Sequence, residues 1–371
     1  MRKLSAFVVI IAMALACVPD DEPTVATESE TVDRGAMLTH WADNLILPAY
    51  RSYAQALQTL RETTETFNQA PTANALSALR TAWREAYRAW QWVSMYEIGP
   101  AEAASLRNFT NIYPTDGAAI EQNVADRNYT LNLPSKYDEQ GFPALDYMLY
   151  GLAETDEELL ARYTNSERGE SYRTYLQELV NRMDELTAQV IAEWEATYRD
   201  SFVGNTGTSA TGSFNTLVND YLFYYEKAVR AGKVGIPAGV FSGAPRPHTV
   251  EGRYAGDMSK ELLLEAIDAA QHFFNGQAFQ SDQAAAGLRS YLDQVEAPRE
   301  AEPLSAQINA QFDEAREAAQ QLKPNLEQQI ADDNQMMLTA YDALQRNVVL
   351  LKVDMFQALN VQVDFVDADG D

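Results

Sequence analysis

The side chain best placed for chemistry is Asp146, an acid set among apolar residues in the run GFPALDYMLYG at 141–151. Asp146 reads either as a partly exposed helix acid or one paired with an arginine, or as facing a polar cleft, since a carboxylate taken out of water needs a partner or a ligand. Metal-assisted hydrolysis would need imidazole or carboxylate ligands around an open metal position. The chain has three histidines, His40, His248 and His272, and none lies in a His-Glu-x-x-His arrangement. His272 falls in mid-helix, whereas His248 follows Pro247 in a loop and is the better placed of the two. A di-iron bundle site asks for Glu-x-x-His, but the residues three before the histidines are Met37, Pro245 and Ala269. No Gly-x-Ser-x-Gly elbow or phosphate-cradling glycine loop is present. Asp367, Asp369 and Asp371 are spaced like the start of a calcium loop without its later ligands, and read as solvated acids.

The elements that must position these groups are helices. Within 141–151, Leu145, Met148 and Leu149 recur at helical spacing, with Pro143 expected as the first helical residue and Gly151 as a left-handed stop. Residues 36–69 show the same spacing, with a kink expected at Pro48; Thr72 reads as the N-cap of a helix over 73–97. Asp116 is placed to cap a short helix, and Thr155 with Glu158 forms a capping box for 156–165. Helices are expected over 168–199 and 214–231, and then near 259–275, 281–295, 304–321 and 325–358. Between them, 232–258 reads as a long irregular segment, holding six of the eighteen glycines and three of the fourteen prolines. No strand pair with turn chemistry is found, so the fold class is all-α, two helical bundles packed side by side.

The composition sets limits on partners. With 54 acidic and 28 basic residues the formal net charge is −26, which repels nucleic acid and attracts cations. Residues 1–17 read as a lipoprotein signal peptide: Arg2 and Lys3, an apolar stretch from Leu4 to Leu15 too short to span a membrane, and a small-residue cleavage site ending at Cys17. Cys17 is the single cysteine, so disulfides are excluded and lipidation at Cys17 is the expected membrane attachment. Residues 18–35 read as an acidic tether, 36–166 as an N-terminal bundle carrying 141–151, and 167–371 as a C-terminal bundle carrying the 232–258 loop.

The run at 141–151 resembles the signature of the imelysin-like proteins, a glycine, any residue, histidine, two residues and glutamate; Pro143 stands at the histidine and Asp146 at the glutamate. Further segments match in order: the tryptophan-rich helix 83–97 ending at Gly99-Pro100, Tyr113-Pro114-Thr115-Asp116, Lys233 to Pro237, Glu251-Gly252-Arg253-Tyr254, and the ending from Phe365 to Asp371. The resemblance implies two bundle-like domains with the signature at the cleft between them, a cell-envelope location and an association with iron uptake. It also implies a peptidase activity attached to a histidine–glutamate motif, for which Pro143 supplies no imidazole.

On that resemblance the candidate ligand-binding cleft consists of Glu97, Asp116, Asp146, Lys233, Glu251 and Arg253, with Glu97, Asp116 and Asp146 as candidate metal ligands. Iron or another hard cation can be held by carboxylates and carbonyls alone. The same acids can instead pair with Arg107, Lys233 or Arg253 and hold the two bundles together. The resulting expectation is a lipid-anchored, non-catalytic binding protein of the outer membrane, periplasmic or surface-exposed, serving iron or haem acquisition beside an outer-membrane transporter. The alternative is a divergent metallopeptidase. Replacing Cys17 with serine is expected to move the protein into the soluble fraction; retention of Cys17→Ser on membranes after a carbonate wash would show another anchor.

Overall fold

Apolar spacing becomes helix along nearly the whole chain. The computed structural model describes residues 33–165, 167–295 and 302–364; Cys17, the signal and most of the tether, and Asp367, Asp369 and Asp371, lie outside them. Among the described residues there is no β-strand, only an isolated bridge between Gln277 and Ala284.

Helix α1 (34–69) starts at Asp33, whose carboxylate accepts the Ala36 N–H at 2.9 Å. The kink expected at Pro48 takes the form of a π turn over Trp41–Ile46, after which the helix resumes as Leu47–Gln69. Proline has no N–H to donate to the carbonyl four residues back, that of Asn44, and its ring crowds it. The widened turn frees this carbonyl, which accepts the Phe279 N–H at 2.8 Å. Helix α2 (Ala73–Gln91) is capped by Thr72 as expected but ends six residues early, because the chain turns at 92–95 and Arg107 Nε binds the Ser94 carbonyl at 2.8 Å. Its apolar face buries Leu76, Leu79, Trp83, Tyr87 and Trp90. On the other side Arg80, Arg84 and Arg88 reach Asp156, Asp257 and Glu265.

Asp116 caps α3 (Gly117–Asp126) and Thr155 caps α5 (Asp156–Thr164), both as the sequence predicts. Between them lies α4 (141–151), an α turn over Gly141–Asp146 opening into a π turn over Tyr147–Gly151. Helix α6 (169–204) follows, and its Gly169–Glu193 stretch packs along Leu47–Gln69 and carries α4 and α5, so it belongs spatially with the first bundle. The second bundle comprises α7 (213–238), α8 (Ser259–Asn275), α10 (Leu304–Gln320) and α11 (326–359), with the short α9 (Leu288–Val295) against its end. Helix α8 also packs on α2, and one continuous apolar core runs through both bundles.

Two local expectations change. Residues 232–238 are helical: α7 widens into a π segment over Tyr224–Gly235 and continues through Ile236–Ala238, so the irregular stretch is 239–258. The glycines counted towards an irregular segment at 232–235 are there for space, since a Cβ on Gly235 would lie 2.8 Å from the rings of Phe241 and Tyr341. Gly151 is not left-handed either; a Cβ there would lie 2.6 Å from Tyr254 and 2.7 Å from Tyr147. The left-handed residue of α4 is Gly141 (φ +73°), and Pro143 follows within the first turn, where a missing N–H has no intrahelical bond to lose. Similarly, 281–287 folds back instead of forming helix, and the Ala285 N–H bonds the Gly276 carbonyl at 3.0 Å.

A Cβ on Gly141 would lie 2.1 Å from the Thr110 carbonyl oxygen. Gly141→Ala is therefore expected to cost about 2–3 kcal/mol in urea unfolding. Gly204→Ala, where a Cβ meets nothing within 4 Å, should stay within about 0.5 kcal/mol of the parent.

Candidate functional site

The 239–258 segment lies against α4, and Asp146 fixes it there. The buried Asp146 carboxylate accepts the backbone N–H groups of Tyr254 and Ala255, each at 2.8 Å. Burial pushes its pKa up to about 7, opposed by those two N–H groups and by Arg253, and reinforced by Glu251. Arg253 itself pairs with Glu327 at 3.0 Å and lies over the Tyr254 ring.

Four residues earlier than Ala255, Glu251 meets α7. One Glu251 oxygen contacts the Lys233 ammonium and the other accepts from Asn111 Nδ2 at 2.7 Å. Tyr87 donates to Asn111 Oδ1 at 2.6 Å, and its ring stacks on Phe142 at the start of α4. Lys233 and Glu251 are both buried. Desolvation lowers the Lys233 pKa, with Glu251 opposing the shift. Lys233 forms part of the wall of a cleft of about 280 Å³, together with Trp90, Tyr113, Tyr224, Ala228 and Ile236.

Arg107 and Phe223 also line this cleft and separate it from a second hollow of about 270 Å³ that holds Glu97, Glu102, Asp220 and Asp364. Arg107 binds Asp220 at 2.8 Å, and the Glu97 carboxylate accepts the Arg107 backbone N–H at 3.0 Å. The Glu97 backbone N–H in turn donates to Asp220 at 2.6 Å. Burial raises the Glu97 pKa to about 7; Arg107 opposes the rise, and Asp220 and Glu102 add to it.

The six residues singled out from the sequence thus occupy separate environments. Lys233 and Glu251 form one pair, Asp146 and Arg253 hold the adjoining loop, Glu97 joins Arg107, and Asp116 caps α3 at the surface by accepting the Ala119 N–H. Glu97, Asp116 and Asp146 do not form a ligand set: among the described residues no group of three or more histidine, cysteine, aspartate or glutamate side chains is placed to hold a metal ion. The histidines are apart as well. His40 Nε2 bonds the Gly276 carbonyl, His272 Nδ1 bonds the Asp268 carbonyl, and His248 is exposed beside the small hollow next to Asp146. Tyr87, Asn111 and Asp220 are the site residues that sequence reasoning missed; Asn111 opens the run NIYPTD that read only as a loop.

The sequence model of a family described as Imelysin matches residues 46–351. The chain belongs to the imelysin family. A relative named Iron-regulated protein A, from Synechococcus elongatus, is 28% identical over 115 residues, 31% of this chain and 31% of that protein. The match thus spans about a third of that relative's length. The crystal structure of an iron-regulated protein A precursor from Parabacteroides distasonis superposes with a TM-score of 0.72 at 17% identity, covering 87% of this chain and 94% of the other. An imelysin-like protein from Psychrobacter arcticum gives 0.64 at 20% identity, with 90% and 97% covered. Both show that the all-α imelysin fold is shared.

In this imelysin Asp146 holds a proton up to about pH 7, against an ordinary value of 3.8. The unfolded chain therefore loses its proton first, and the stability Asp146 contributes, complete below the unfolded value, is lost as pH climbs towards 7. The hydroxyl oxygen of the protonated acid can still accept the second N–H through a lone pair, whereas asparagine turns an NH₂ towards it. Asp146→Asn is expected to lower stability by about 1–3 kcal/mol at pH 5. That deficit should shrink towards pH 7, as followed by urea unfolding at several pH values.

Proposed function

We propose that the protein is a lipid-anchored, non-catalytic binding protein of the bacterial cell envelope that holds an iron complex during iron acquisition. The observation that carries this reading is the 280 Å³ cleft, whose wall combines aromatic rings with Arg107, Lys227 and Lys233 and includes no histidine. Aromatic faces and cations suit an anionic organic chelate. The separated carboxylates favour a complexed ion over a bare one. The names of the cyanobacterial relative and of the structural neighbour from Parabacteroides distasonis, both iron-regulated, agree with that cargo. Lipid at Cys17 and an outer-membrane transporter as partner complete the proposal.

Ferric citrate is the probe. In equilibrium dialysis the untagged protein is expected to retain about one equivalent of iron as ferric citrate. Ala228→Trp, which fills the cleft from its wall, should weaken retention about tenfold, ~1.4 kcal/mol, without lowering the melting temperature by more than about 3 °C. Equal retention by both proteins would overturn the cleft assignment. Peptide cleavage that stops on adding a chelator would replace this reading with a divergent metallopeptidase.

A further inference from the structure

We propose that Lys233 captures an aldehyde or ketone in the cleft as a reversible imine, with Glu251 carrying the proton; this rests on reading the cleft as a binding site. Lys233 is the most deeply buried lysine among the described residues. Lys136 and Lys323 pair with Glu139 and Asp332 nearer the surface, Lys227 and Lys352 both meet Glu226, and Lys260 bonds the Leu322 carbonyl. A buried ion pair that serves only as glue is seldom better than apolar packing, because both ions lose water. Here the pair instead stands at the wall of an open cleft, and its carboxylate is held from behind by Asn111 and Tyr87. The lysine projects from the π segment of α7, an irregularity that recurs at functional sites. Desolvation lowers its pKa, as in lysines that act as nucleophiles.

The chemistry balances without an outside reagent. The Lys233 ammonium gives a proton to Glu251, and the amine lone pair attacks the carbonyl carbon while the C=O π pair moves to oxygen. A proton passes from nitrogen to that oxygen, giving a carbinolamine. Glu251 then protonates the hydroxyl, the C–O bond breaks and water leaves. The product is an iminium paired with the Glu251 carboxylate, so the site begins and ends with the same pair of charges, passes through a neutral pair between them, and keeps its net charge at every step. Water returning to the carbon reverses every step. The rings of Trp90 and Tyr224 favour a carbonyl compound with an aromatic or apolar flank.

The test is trapping with benzaldehyde and cyanoborohydride at pH 7, followed by peptide mapping of the full mature chain. The expected result is an adduct on Lys233 at about ten times the yield on any other lysine. Glu251→Gln should reduce that yield at least about tenfold, and Lys233→Arg should abolish it. If Lys233→Arg does not fold, Ala228→Trp keeps the ion pair intact and should produce the same loss by filling the cleft. Even labelling across the lysines, or Lys233 labelling that survives Ala228→Trp, would overturn the inference. Retention of ferric citrate with Lys233 unlabelled would overturn the imine alone and leave the cleft as a binding site. Lys233 labelling without retention would overturn the iron cargo and leave the imine standing.

Discussion

The site depends on a carboxylate that binds backbone. Asp146 rises from α4 and holds two successive N–H groups of the irregular 239–258 segment. A segment with four left-handed glycines, Gly239, Gly243, Gly252 and Gly256, has little structure of its own to set its path. Arg84 bound to Asp257, and Arg253 bound to Glu327, secure it nearer the surface, while Asp146 and the buried Lys233–Glu251 pair hold it from inside. Because the grip falls three and four residues after Glu251, it also decides where that acid meets α7. The cost is a charge carried into the core, which the raised pKa registers.

The two neighbouring hollows divide the charged side chains that line them. A chain of net charge −26 turns Arg107, Lys227 and Lys233 towards one hollow, and Glu97, Glu102, Asp220 and Asp364 towards its neighbour. Arg107 and Phe223 are the partition between the two. Each cation is also paired, Arg107 with Asp220, Lys227 with Glu226 and Lys233 with Glu251, so the division is one of lining side chains and not of net charge.

What the sequence made legible was mostly local. Thr72, Asp116 and Thr155 are caps because a side-chain oxygen meets an N–H three residues on, and such contacts need no knowledge of the rest of the chain. The lack of histidine pairs was equally plain, and so was the all-α class. The glycines of 232–235 misled because their purpose is tertiary: they make room for Tyr113, Phe241 and Tyr341, which arrive from distant segments. Asp146 reads from the sequence as a partly exposed or arginine-paired acid, or as one facing a polar cleft; its partners are backbone groups more than a hundred residues away, which no side-chain pattern announces. Asn111 and Asp220 escaped for the same reason, since each acquires its role only when Glu251 or Arg107 folds against it.

The π segment of α7 gives this architecture a kind of phase. An α-helix advances by about 100° per residue, and a π turn holds an extra residue within nearly the same rise. The twelve residues Tyr224–Gly235 therefore store a rotation as well as a length. Losing one of them ahead of Lys233 would swing everything downstream around the axis, Lys233 included, with no change in the identity of any remaining side chain. In a lineage, such a site is kept or lost by an insertion or a deletion as readily as by a substitution. A relative can then retain the lysine in an alignment while facing it into a different neighbourhood.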